Sequence, residues 1–161
     1  MRTARYRCLL MTTTILLAVL ILTLVLSAVI AVLIVRRGRA RALENLSQLP
    51  GVLQRSMAAT SLGITSRGRG EAQGTGTLVL TSDEVAFAQW RPDYLLRIPR
   101  AQILEVDTTR THLERKMKND VLRIRWTDTA TGAEDTFAAF VRDLDPWLTD
   151  LGGQRSPSED E

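Results

Sequence analysis

The side chains that could carry out chemistry are few, and their spacing matches no catalytic motif. His112 is the only histidine and Cys8 the only cysteine, so one chain cannot form a Cys/His metal cluster. Glu114 lies two residues from His112, but no G-x-S-x-G nucleophile motif accompanies the pair. The glycines at 68, 70, 74 and 76 do not form G-x-G-x-x-G, and no Gly-Lys-Ser/Thr follows them. We therefore predict a non-enzymatic protein without a metal site or a cofactor.

Basic side chains remain as candidates for binding. Those between positions 110 and 118 predict either a solvated hairpin or a protrusion that touches headgroups or an acidic partner. A second cluster, at 36–41, follows an apolar run, and such clusters attract anionic headgroups at about 1 kcal/mol per basic residue near the surface. The same cluster also serves as a topology signal. The predicted contact residues are Arg36, Arg37, Arg39, Arg41, Arg67, Arg69, Arg110, Arg115, Lys116 and Lys118.

The apolar run Cys8–Val35 contains 28 residues and no charged side chain. As a helix with a rise of about 1.5 Å per residue it is roughly 42 Å long, and the hydrocarbon core of a bilayer is about 30 Å thick. A cleaved signal peptide is the alternative, but its apolar region has only about 7–15 residues. The sequence after the run, Arg36-Arg37-Gly38-Arg39, is also unlike a cleavage site. We predict a basic tail over 1–7 and a transmembrane helix over 8–35.

The charge balance separates the two ends of the chain. The net charge of +3 comes entirely from the N-terminal tail, since residues 36–161 contain equal numbers of basic and acidic side chains. This neutrality argues against a general nucleic-acid binder. A lone cysteine forms no disulfide within the chain, so the folded part needs no oxidising compartment.

The sequence after the predicted span has a basic segment first and a strand-like apolar pattern later. Residues 36–61 predict a basic juxtamembrane segment followed by a tether. The helix can continue for a turn or two before Pro50-Gly51 breaks it, and the tether is expected over 52–61. From Leu62 the apolar period becomes two, which predicts short strands in an antiparallel sandwich or barrel. The predicted strands are 62–66, 77–80, 85–90, 95–98, 103–109, 121–127 and 135–140, with a charged loop over 110–120.

The C-terminal part predicts one amphipathic helix. Leu144, Trp147, Leu148 and Leu151 follow the i, i+3, i+4, i+7 pattern of a single apolar stripe. Asp145 is the expected N-cap with Pro146 after it, and Gly152-Gly153 ends the helix. Residues 153–161 are polar and acidic, which predicts a disordered tail.

Two strings resemble a known family. Gly76–Thr81 followed by Val85-Ala86-Phe87 resembles the opening of GRAM and bacterial pleckstrin-homology-like (PH-like) domains, and Leu96–Pro99 with Ile103 and Val106 resembles a later segment of them. The resemblance covers roughly residues 62–152. It implies a β-barrel of about seven strands plugged at one end by the C-terminal helix, with a binding surface on loops for phosphoinositides or proteins. Lipid-binding members of the family carry several Lys/Arg in the first strand–loop–strand. Here that loop holds Arg67 and Arg69 but no lysine, and Glu71 lies beside them.

The sequence thus predicts an α+β, single-pass plasma-membrane protein with a PH-like interaction module for a protein or lipid-headgroup partner. The alternative is an accessory subunit or regulator of a transporter or envelope complex that packs through its helix. Five arginines follow the span within about 20 residues and three precede it, which favours a cytoplasmic domain. The PH-like resemblance implies the same side.

Overall fold

The computed structural model describes residues 2–47, 49–68 and 73–155. The chain divides into two compact units, Met1–Arg37 and Gly38–Glu161. The predicted α+β class is confirmed. The elements are helix α1 (Arg2–Ser47), strands β1 (Val52–Ile64), β2 (Gln73–Thr81), β3 (Glu84–Gln89), β4 (Tyr94–Pro99), β5 (Ile103–His112), β6 (Arg115–Thr127) and β7 (Glu134–Phe140), and helix α2 (Leu144–Leu151).

Helix α1 exposes a long apolar surface. Its side chains from residue 19 to residue 35 are all exposed, and an 18-residue window within Val19–Ser47 has a mean hydropathy of 2.8. The hydroxyl of Thr23 donates to the Leu20 carbonyl at 2.8 Å and that of Ser27 to the Thr23 carbonyl at 2.7 Å, so the helix satisfies these polar groups itself. By length and composition the helix could cross a membrane. The predicted helix over 8–35 is confirmed, and the structure continues it to Ser47.

The last turns of α1 belong to the second unit and cover the outer face of β2 and β3. Ala42 and Leu46 are four residues apart, so they lie on one side of the helix, and each is 1% exposed. They pack against Val79, Ala86 and Ala88. The predicted continuation of the helix after the span is therefore present, and it is packed because an apolar pair at helical spacing meets an apolar outer sheet face.

Gly38 permits a close approach between α1 and the chain after β3. A Cβ atom at this position would lie 2.2 Å from the Trp90 carbonyl oxygen, so any larger residue would force the helix away. One residue further on, the Arg39 guanidinium lies 5.8 Å from the centre of the Trp90 ring, within the range of a cation–π contact. Gly38 and Arg39 thus act in the folding of the second unit.

The strands form one antiparallel sheet in the order β4-β3-β2-β1-β7-β6-β5, curled into a half-barrel. Within the described residues the predicted number of strands is confirmed. The alternation in β6 is also confirmed, since Leu122, Ile124 and Trp126 face the core while Arg123 and Arg125 lie on the other face. The sheet therefore has one inner face that holds the main core and an outer face that differs from strand to strand.

The predicted tether over 52–61 is wrong, because these residues form most of β1. The register of β1 against β2 shifts between Ser56 and Ala59, which marks a β-bulge. A bulge puts two consecutive residues opposite one and interrupts the period-two pattern. The start of β1 also lacks alternation, because Val52 and Leu53 are consecutive apolar residues and both are exposed.

The hairpin expected over 110–120 is present, but the prediction of a loop there is wrong, because β5 and β6 continue through this segment as strands. Leu113 and Glu114 make the turn, with φ angles of 48° and 61°. Two central residues with positive φ suit the right-handed twist of a two-residue hairpin, a role that Asn and Gly usually fill. Leu-Glu gives no such signal in the sequence.

Helix α2 packs as its apolar stripe predicts. Trp147 is 3% exposed and Leu148 is 6% exposed, and both join the main core beside β5 and β6. Gly152 ends the helix with φ of 70°, as expected. The predicted N-cap is wrong by two residues, since Asp143 occupies that position and Asp145 lies in the first turn.

The first residues of the predicted disordered tail are ordered. The Gln154 amide donates to the Val106 carbonyl at 3.1 Å, in a parallel bridge to β5. Arg155 Nη2 lies 2.7 Å from Asp145 Oδ1. The prediction of disorder is therefore wrong for 153–155, and residues 156–161 lie outside the described part of the chain.

Candidate functional site

Strand β1 has an edge that the sheet leaves uncovered over its first half. It pairs with β2 from Val52 to Leu62. On its other side it pairs with β7 only from Thr60 to Ile64. Strand β7 ends at Phe140 and the chain turns into α2, so no described strand covers β1 residues 52–59.

A groove of about 560 Å3 runs along this open edge, and we call it the edge groove. Its lining residues are Gln54, Arg55, Ser56, Met57, Ala58, Phe140, Arg142, Asp143, Pro146 and Trp147. Phe140 is 39% exposed, which is high for a phenylalanine at the end of a core strand. The groove thus combines a strand edge, an exposed aromatic ring and the cations Arg55 and Arg142.

A second groove, of about 340 Å3, shares Phe140 and Arg142 with the edge groove, and we call it the basic groove. It is lined by Arg110, Lys118, Asn119, Asp120, Phe140, Val141, Arg142 and Leu144. Arg110 Nε lies 2.7 Å from Asp120 Oδ1, so one cation is paired within the groove. Within the described residues no ion pair is found for Lys118 or Arg142, so the groove carries excess positive charge.

The structure brings the predicted contact residues of the β5–β6 hairpin onto one ribbon. Arg110 and Lys118 line the basic groove. Arg115 and Lys116 lie at the turn, both exposed, and Arg115 Nη1 donates to Gln73 Oε1 at 3.3 Å. A basic hairpin tip is therefore present in the form of a β-ribbon.

The other predicted contact residues do not join this ribbon. Arg67 lies over the Tyr94 ring at 5.1 Å, and Arg41 is exposed on the last turns of α1 beyond Arg39. Arg36 and Arg37 are exposed residues of the first unit. Arg69 lies outside the described residues.

The outer face of β5 and β6 carries cross-strand ion pairs that sequence reasoning missed. Arg123 forms a two-pronged ion pair with Asp107, and Arg125 Nη1 lies 3.1 Å from Glu105 Oε2. The hydrogen bonds that Arg123 donates to the Asp107 carboxylate raise the pKa of Arg123 above its usual value. These two arginines are thus matched by carboxylates, unlike Lys118 and Arg142. The alternating charges within each strand could have suggested ion pairs, but only the register of β5 against β6 shows which residues are paired.

His112 is buried and holds the hairpin to β1. Its Nε2 lies 3.2 Å from the Gly63 carbonyl oxygen, so this nitrogen donates. Burial lowers the pKa of His112 below its ordinary value, and the bond to Gly63 opposes that effect in part. The buried bond between His112 and Gly63 joins β5 to β1, which is a structural contact. Among the described residues no group of three His, Cys, Asp or Glu side chains could hold a metal ion.

Comparison with known proteins adds no assignment, because no family model and no curated protein matches the chain.

Proposed function

We propose that this chain is a non-enzymatic single-pass membrane protein that presents a cytoplasmic, PH-like module to a protein partner at the membrane surface. The half-barrel followed by one C-terminal helix supports the PH-like part of the proposal. The exposed apolar helix α1 supports the anchoring part. The five arginines that follow the span support the cytoplasmic side.

The observation that carries the proposal is the open edge of β1. Backbone N–H and C=O groups on an uncovered strand edge can pair with an extended segment of another protein, and nearby pockets then select its side chains. Here the edge groove offers the exposed ring of Phe140 as an apolar contact, and Arg55 and Arg142 as cations. An extended segment with an apolar and an acidic side chain fits this lining best.

A lipid headgroup is the second candidate ligand, and the exposed Lys116 and Lys118 with Arg41 favour it. Anionic lipids attract such residues at about 1 kcal/mol each near the surface. A headgroup uses charge alone, whereas the edge groove also offers strand pairing and an aromatic ring. For this reason we favour a protein.

The test is photocross-linking of the full chain in native membranes. A photoreactive side chain replaces Ser56 in the edge groove, and the matched control replaces Thr129, an exposed residue in the turn between β6 and β7. We expect a cross-linked protein from position 56 and none above background from position 129. The double change Arg55→Glu/Arg142→Glu should reduce the product, while the matched change Arg125→Glu should leave it unchanged.

The other outcomes assign the remaining possibilities. A product carrying a phospholipid at position 56 would identify a headgroup ligand. Co-purification of a protein that survives Arg55→Glu/Arg142→Glu would favour the alternative role, a subunit that packs through α1. Equal background at positions 56 and 129 would contradict an edge-groove partner.

A further inference from the structure

The edge groove ends where β7 pairs with β1. Residues 54–58 of β1 line the groove, and the pairing with β7 starts at Thr60, opposite Phe140. Five extended residues cover about 17 Å at roughly 3.4 Å per residue. A bound segment of about that length can pair along the open edge, but β7 already occupies the position beside Thr60. The segment must therefore leave the edge at Phe140.

Phe140 and Arg142 connect the two grooves at this point. Both residues line the edge groove, and both line the basic groove. Phe140 is 39% exposed and Arg142 is also exposed, so a bound segment can pass over them from one groove into the other. The two grooves thus form one continuous surface, with a strand edge at one end and basic side chains at the other.

The basic groove has cations that are not matched by carboxylates. Lys118 is exposed on β6, and within the part of the chain that the structure describes neither Lys118 nor Arg142 forms an ion pair. Arg110 differs, because its Nε lies 2.7 Å from Asp120 Oδ1 and the two charges balance. The exposed Asp143 lines the edge groove but not the basic groove. The excess of positive charge therefore lies on the Lys118 side of Phe140.

We infer that the segment bound by the edge groove carries an acidic run directly beyond the part that pairs with β1. The carboxylates of this run bind Lys118 and Arg142 in the basic groove. The partner thus has two adjacent parts, about five extended residues for the strand edge and an acidic run at the end nearest Phe140. Charge selects for this partner, because a segment with a basic end meets like charges in the basic groove. The inference rests on the proposed edge-groove partner and adds its chemical class.

The test compares photocross-links from the two grooves of the full chain in native membranes. One variant carries the photoreactive side chain at Ser56, in the edge groove, and a second carries it at Asn119, in the basic groove. Mass spectrometry of the products maps the partner residues that are joined to each position. We expect both positions to join neighbouring parts of one segment of the same protein, with acidic residues in the part joined to position 119.

Charge reversal in the basic groove has a matched control. Lys118→Glu places a carboxylate against the acidic run. Lys116→Glu makes the same change two residues earlier on β6, at an exposed position that does not line the groove. We expect Lys118→Glu to lower the cross-linking yield from both positions several-fold, and Lys116→Glu to leave both yields unchanged.

A synthetic peptide of the mapped segment then measures the charge contact itself. Its affinity for the full chain in detergent micelles should fall several-fold when its acidic residues are replaced by their amides. It should also fall as the salt concentration rises, because salt screens exposed charges. The chain with Lys118→Gln/Arg142→Gln should bind the acidic peptide and the amide peptide equally well, since the coupling is lost once its basic partners are removed. An unchanged melting midpoint shows that this variant is folded.

The outcomes separate this inference from the proposal on which it rests. Absence of a protein product from position 56 would overturn both. A protein product from position 56 would support the edge-groove partner, and three further results would then overturn the inference alone. These are no product from position 119, a product from position 119 that maps to a distant part of the partner, and equal affinities of the acidic and amide peptides for the unchanged chain.

Discussion

Strands β2–β3 and β5–β6 share one inner core but differ on their outer faces. The outer face of β2–β3 is apolar and lies under the last turns of α1, where Leu46 is buried. The outer face of β5–β6 carries the ion pairs Asp107–Arg123 and Glu105–Arg125 beside solvent. The comparison separates a region whose outer face is covered by apolar packing from a region whose outer face carries charges paired within the sheet. The edge of β1 lies in the same sheet between these two regions.

The largest effect is expected where both regions meet, at the inner core. Trp147→Ala removes a buried indole that packs against the strands from α2. Truncating a buried Trp costs about 3–5 kcal/mol, a large part of the roughly 5–15 kcal/mol that stabilises a domain. Urea unfolding of the full chain in mild detergent, followed by circular dichroism, should show a much lower midpoint. An unchanged midpoint would mean that α2 does not plug the half-barrel.

The next effect concerns only β2–β3. Leu46→Ala removes a side chain that is 1% exposed between α1 and the sheet, and a buried Leu→Ala change costs about 2–5 kcal/mol. The matched control is Leu53→Ala, because Leu53 is 56% exposed, and its effect should stay within about 0.5 kcal/mol. The same urea experiment compares the two variants. Similar midpoints for both would show that the end of α1 is a tether after all.

A pH effect is expected at the hairpin end of β5–β6. Burial lowers the pKa of His112 in the folded chain, whereas the unfolded chain titrates near 6.5. The unfolded state therefore takes up the proton first, and stability that is full above about pH 6.5 is lost as the pH falls towards the lowered folded pKa. His112→Gln should remove this part of the loss. The free energy of unfolding, measured from about pH 7 to about pH 5 for both chains, checks it, and parallel profiles would contradict it.

The smallest effect on stability is expected on the outer face of β5–β6. Arg125→Gln breaks a pair whose side chains are both close to half exposed. Exposed ion pairs contribute about 0.2–1 kcal/mol, so the urea midpoint should fall slightly in low salt and less in high salt. A loss as large as that of Leu46→Ala would show that the two outer faces are not different in kind.

The elements that could be predicted from the sequence are those with a regular pattern of apolar residues. The charge-free run 8–35, the alternation of β6 and the stripe of α2 each follow from a single period, and all three are confirmed. The continuous apolar run in β2 indicates a strand that is buried on both faces, since such a strand loses its alternation. The sequence did not predict that the end of α1 covers the outer face of β2, because the spacing of Ala42 and Leu46 does not indicate which surface they contact.

The features that were not predicted arise from irregular strand geometry or from contacts between residues far apart in the chain. Strand β1 was missed because its bulge interrupts the period-two pattern, and the hairpin turn was missed because Leu113-Glu114 is not a usual turn sequence. The edge groove arises because β1 is longer than β7, and only their register reveals it. One practical consequence follows. A fragment over 62–152 would lack most of β1 and the end of α1, so a stable fragment should begin at Gly38.

The proposed function depends most on the side of the membrane that Gly38–Glu161 faces. A pair of C-terminal fusions to the full chain tests this, one to a reporter active only outside the cytoplasm and one to a reporter fluorescent only inside it. We predict fluorescence from the internal reporter and no activity from the external one, since five arginines follow the span and three precede it. Activity from the external reporter alone would contradict the cytoplasmic module and would place the cluster Arg36–Arg41 away from the anionic cytoplasmic leaflet.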